Sequence, residues 1–96
     1  MKYDKKARQH LILAAALAVA ETVGLYKLTR AEVARVAGVS PGLVSFYFLD
    51  IETLKTRVIE EAIARESLGV VAFALMSKHP AAAGCPAALA ARARGV

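Results

Sequence analysis

No tryptophan occurs in the 96 residues, and phenylalanine and tyrosine number three each. An aromatic-rich sandwich is therefore excluded, and the core must come from Ala, Leu, Val and Ile, which suits closely packed helices. Cysteine is reduced to Cys85. One thiol forms no internal disulfide, builds no cysteine-based metal site and gives no sign of an oxidising compartment, so the expectation is a cytoplasmic protein without metal or cofactor. Long apolar runs are missing as well. Leu11 to Ala20 and Leu68 to Met76 each reach about half of the roughly 20 residues that cross a bilayer. Charged residues make up only 22% against 57% hydrophobic, which excludes a disordered chain. What remains is one small all-α protein, near the lower size limit at which burial offsets chain entropy, so oligomerisation is the expected supplement.

The formal charge of +5 is unevenly spread. Residues 1–48 hold seven basic and three acidic side chains, residues 49–66 three basic and five acidic, and the rest only three basic ones. The N-terminal half is thus the candidate for facing a polyanion, beside the plainer reading of a positive charge kept for solubility. The opening also imitates a secretion signal, with Lys2, Lys5, Lys6 and Arg8 before an apolar run and Ala18-Val19-Ala20 in the place of a cleavage site. Asp4 within the basic segment and the alanine-rich run argue against that reading, and cleavage would remove the longest apolar helix.

Along the chain, Asp4 is a plausible N-cap, and Leu11, Ile12, Ala15, Ala16, Val19 and Ala20 recur at helical spacing until Gly24, which fits a helix stop. Thr29 followed by Glu32 predicts a capping box, with the hydroxyl satisfying an amide and the glutamate reaching back. A second helix is expected from Arg30 to about Val36. Gly38 permits a tight turn, and Ser40-Pro41 supplies an N-cap and a first-turn proline for a third helix to about Phe48. Asp50 opens a fourth, with Leu54, Val58, Ile59, Ala62 and Ile63 on one stripe. That helix is expected to continue through Leu68 to Met76 until His79-Pro80 stops it. Pro80 to Val96 reads as a weak helix or disorder. The expected division is residues 1–48, residues 49–79 as the fourth helix and dimerisation region, and residues 80–96 as an alanine-rich tail.

Two short helices around a glycine turn make a helix-turn-helix, and the residue types obey its geometry. Ala34 is small where the helices cross, Gly38 takes the left-handed turn, and Val33, Ala37, Val39, Val44 and Tyr47 are available to fill the shared core. Their joint spacing, with two correct N-caps, points to DNA binding.

From Arg8 to Leu54, about half of the chain, the sequence resembles the DNA-binding region of TetR family transcriptional repressors. The resemblance rests on Ile12-Leu13, Ala15-Ala16 and Gly24; on Leu28-Thr29, Val33-Ala34 and Ala37-Gly38-Val39-Ser40; and on Pro41-Gly42, Tyr47-Phe48, Glu52 and Leu54. It implies a homodimer that sets two recognition helices into successive major grooves of double-stranded DNA at a palindromic operator. Lys27, Thr29, Arg30, Ser40 and Tyr47 fall where the family contacts phosphates; Pro41, Gly42, Leu43, Ser45 and Phe46 fall on the groove-facing side. For Leu43 and Phe46 a place in the core stays open. Lys5, Lys6 and Arg8 are candidates for an N-terminal arm, against the alternative of a solvated helix start. Two departures stand out: Ser45 and Ile51 replace the family's common Tyr and Lys. The recognition helix also carries no Arg, Lys, Asn or Gln, so base reading is expected from Ser45, backbone groups, apolar contact with thymine methyls and DNA shape.

Family members usually continue into a large helical ligand-binding and dimerisation domain. The remaining residues here are too few to enclose a pocket of roughly 300 Å³, so no small-molecule inducer is expected. Leu68, Val71, Phe73, Leu75 and Met76 are the candidate dimer interface, because that stretch has few neighbours within one chain; folding back onto the first helix is the alternative. A compact repressor without a sensor is similar to the short regulators of plasmids and phages. An enzyme is disfavoured: His10 and His79 lie far apart, Cys85 has an Ala- and Gly-rich setting, and no phosphate-cradling glycine loop exists. The remaining competitor is a helical interaction module, an antirepressor or dimerising partner, that keeps the fold without binding DNA.

Overall fold

In the computed structural model, which describes residues 4–95, the chain folds into six α-helices. They are α1 (Lys5–Val23), α2 (Arg30–Ala37), α3 (Pro41–Phe48), α4 (Ile51–Arg65), α5 (Leu68–Met76) and α6 (Ala87–Arg94). Short 3₁₀ turns at Leu25–Lys27 and Pro80–Gly84 link α1 to α2 and α5 to α6. Lys2 of the basic opening and Val96 of the tail lie outside the described residues. Among those described, no helix is long and apolar enough to cross a membrane.

The first four helix starts each follow from a side chain. Asp4 accepts from the Ala7 N–H at 2.7 Å, Thr29 from Glu32 at 3.2 Å, Ser40 from Leu43 at 3.2 Å and Asp50 from Thr53 at 2.8 Å. These bonds satisfy amides that the first helical turn leaves without partners. The capping box at Thr29 is only half made. Glu32 does not reach back to the cap, because the guanidinium of Arg35, one turn ahead, takes both of its carboxylate oxygens. Gly38 adopts φ +74 as the left-handed residue that ends α2, with the Val39 N–H closing onto the Ala34 carbonyl at 3.0 Å.

The apolar stripes meet in one core running from Ile12 to Ala93. α1 packs against α2 and α4, α2 against α3, α4 against α5, and α5 against α6. Ile12 and Ala16 of α1, Val33 of α2, and Leu54, Val58, Ile59 and Ala62 of α4 are wholly buried. Each large side chain so buried contributes about 1.5–3 kcal/mol from removal of apolar surface. Val44 joins them from α3, while Ala37, Val39 and Tyr47 pack at the edge of the cluster.

Two expectations for the C-terminal part need correcting. The fourth helix does not continue to Met76. It stops at Arg65, where Glu66 turns left-handed (φ +56) and the Ser67 N–H bonds back to the Ala62 carbonyl at 2.8 Å. Of the weak helix or disorder expected after Pro80, the described residues show the helix: α6 buries Leu89, Ala90 and Ala93, so a partner surface for the whole Leu68–Met76 stretch is the second expectation to correct. That helix supplies the neighbours that the Leu68–Met76 stretch lacks when read alone. Val71, expected at a partner surface, is accordingly 1% exposed in the chain's own core.

Candidate nucleic-acid interface

α3 stands on the outside of the fold, anchored by its inward residues Val44 and Phe48. Its start is fixed by the Ser40 cap and by Pro41, whose ring presets the first helical φ. Pro41, Gly42 and Phe46 are its exposed residues. Phe46 is 66% exposed, with its ring meeting Tyr47 edge-on at 5.1 Å. Of the two side chains with an open alternative, Phe46 thus faces solvent. Leu43 is half-buried and packs on the core; the rest of its surface lines a groove with Arg8, Leu11, Gly38 and Val39.

The expected phosphate contacts flank this helix. Lys27 closes the 3₁₀ turn before α2, and Thr29 and Arg30 form the start of α2; all three are exposed. Thr29 and Ser40 use a lone pair for capping, which leaves each hydroxyl hydrogen free to donate. Lys5, Lys6 and Arg8 are not an extended arm. They occupy the first turn of α1, because the Asp4 cap starts the helix immediately ahead of them. Arg8 nevertheless reaches the α2–α3 turn, in the groove it shares with Gly38 and Leu43.

Ion pairs leave most of the cations near α3 free, Arg35 with Glu32 and Lys55 with Glu52 being the exceptions. Arg57, Arg65 and Arg92 pair with Glu60, Glu61 and Glu66 behind the helix-turn-helix. Among the described residues, Lys5, Lys6, Arg8, Lys27 and Arg30 have no ion pair at all. A face of uncompensated cations beside helix N-termini attracts phosphate, and their counterions are released on binding.

The starts of α2, α3 and α4 enclose an open groove of about 620 Å³ lined by Thr29, Arg30, Pro41, Gly42, Ser45, Ile51 and Lys55 among others. Within it the Arg30 Nη1 donates to the Ser45 Oγ at 2.6 Å, joining α2 to α3 across fifteen residues of sequence. Lys55 is a residue that sequence reading missed. It follows Ile51 by four positions and so shares its helix face, which brings an ammonium group to the groove where Ile51 has none; its Nζ lies 3.8 Å from Glu52. Asp50, beside the groove, is held below its ordinary carboxylate range by the Thr53 N–H and hydroxyl. Glu32 is likewise lowered, by its hydrogen bonds from Arg35. No group of three or more metal-ligating side chains occurs among the described residues.

A capped helix-turn-helix, its second helix exposed and ringed by unpaired cations, defines a DNA-binding transcriptional regulator. Residues 12–57 match the family model described as bacterial regulatory proteins, tetR family. That region, on the N-terminal side of the chain, is a tetR-family DNA-binding helix-turn-helix. No curated protein and no solved structure matches it.

Proposed function

We propose that the chain is a homodimeric repressor, acting in the cytoplasm, that binds a palindromic operator with α3 of each subunit in successive major grooves. The observation that carries this reading is the exposed face of α3, Pro41, Gly42 and Phe46, bordered by the unpaired cations of α1 and α2. Lys27, Thr29, Ser40 and Tyr47 position the protein on phosphates, with Lys5, Lys6, Arg8 and Lys55 adding charge. Phe46 meets thymine methyls, an apolar contact that suits its exposed ring. Phe73, Met76 and the edge of Leu75 hold the two subunits together. Repression then follows from occupancy of the operator alone, without an inducer.

The test is selection of bound duplexes from a random pool at moderate salt, followed by sequencing of those retained. Enrichment of an inverted repeat, with half-sites one helical turn or about 34–36 Å apart, supports the proposal. Retention without any shared sequence overturns the operator and leaves backbone binding. No retention favours an interaction module built on exposed Phe46 and Leu49. Such a contact would respond weakly to salt, whereas phosphate binding falls steeply.

A further inference from the structure

We propose that Arg30 and Ser45 act together as the base-reading element of the interface, with a guanine as their target. The inference rests on the reading of α3 as the recognition helix. α3 has no side chain of its own that can make a forked contact with a base edge: its exposed positions are Pro41, Gly42 and Phe46, and Leu43 is half-buried. The guanidinium that could do so comes from α2. Arg30 lies over α3, its Nη1 donating to the Ser45 Oγ at 2.6 Å. No carboxylate holds it, since Arg30 takes part in none of the ion pairs of the described residues.

The chemistry of the pair selects the base. Ser45 spends a lone pair on Arg30 and keeps its hydroxyl hydrogen, while Arg30 keeps four of its five N–H groups. Two donors therefore stand side by side on the surface of the recognition helix. In the major groove guanine shows two adjacent acceptors, N7 and O6, whereas adenine pairs its N7 with an N6 donor that would oppose them. A cytosine or thymine in that place offers no adjacent acceptor pair. Arg30 is thus a specificity residue rather than one of the phosphate contacts that its position at the start of α2 suggests, and Ser45 is the residue that positions it.

The experiment is the same duplex selection run on the wild-type chain, Arg30→Lys, Arg30→Ala and Ser45→Ala, with affinity for random DNA measured alongside. The expected wild-type motif contains a guanine in each half-site that is preferred by about 5- to 150-fold, the range of a good bidentate contact. Arg30→Lys keeps the charge but loses the fork, so that position should relax while binding to random DNA holds. Ser45→Ala should relax the same position, and Arg30→Ala should relax it and weaken binding too. An unaltered motif in Arg30→Lys, with Arg30→Ala lowering affinity on all sequences and reducing the salt slope by about one unit, makes Arg30 a phosphate contact and overturns the proposal. A wild-type motif without a fixed guanine also overturns it while leaving the operator reading intact. A wild type that enriches no motif overturns both.

Discussion

At the scale of single residues, three of the short polar side chains that start helices border the proposed DNA-facing surface. Thr29, Ser40 and Asp50 each spend one acceptor on a first-turn amide, so a substitution there disturbs the placement of a helix as well as any contact it makes. Asp50 is the one among them that titrates. The Thr53 N–H stabilises its ionised form, so its folded pKa lies below the unfolded value. The contribution of a group lowered in this way is complete above the unfolded pKa of about 3.9. It is lost as pH falls through the lower folded value. Asp50→Ala should therefore lower the urea midpoint at pH 7, and the gap from wild type should narrow steadily below about pH 4. Parallel urea titrations at pH 7 and pH 3 check this; an equal gap at both would mean that the carboxylate charge plays no part in the cap.

At the scale of elements, what was legible in the sequence is whatever local chemistry dictates. Asp4, Thr29, Ser40 and Asp50 mark four helix starts, Gly38 marks the turn, and the helix-turn-helix follows from them. The end of α4 was not legible, because the left-handed residue there is Glu66 where a glycine or proline would have announced it. Its strain is tolerated because Ser67 can close the cap and donate to Glu21 from α1, a partner 46 residues away. α6 was legible only as a weak helix or disorder, for a similar reason. Its alanines carry little hydrophobic signal, and its burial exists only once α5 lies across it. In the candidate interface, register and resemblance supply the proposed residues, but the Arg30–Ser45 bond depends on a side chain crossing between helices. If α6 is an integral layer, truncating its buried Leu89 (5% exposed) should cost about 2–5 kcal/mol, the usual range for a core leucine. Thermal and urea unfolding of Leu89→Ala measure it. A loss below about 0.5 kcal/mol, the level of an ordinary surface substitution, would show that α6 frays in solution.

At the scale of the whole molecule, the two ends divide the work of the proposed repressor. The helix-turn-helix gathers unpaired cations, while α5 and α6 leave a largely apolar edge where Ala72, Leu75 and Met76 meet Arg94. Met76 is 83% exposed, and Phe73 on the same helix 39%. A single recognition helix on a 10.2 kDa chain makes few contacts, so specific binding calls for two copies joined rigidly enough to meet both half-sites together. The double substitution Phe73→Glu and Met76→Glu places two like charges at that edge without entering the core, since neither residue is buried. Sedimentation equilibrium should give twice the chain mass for wild type and a single chain mass for the variant, with unchanged helical circular dichroism. Binding to an inverted repeat should weaken by at least tenfold in the variant, while binding to an isolated half-site stays level, because the α3 face is untouched. A variant that sediments as a dimer would move the interface elsewhere on the surface, with exposed Leu49 and Tyr26 as the next positions to charge.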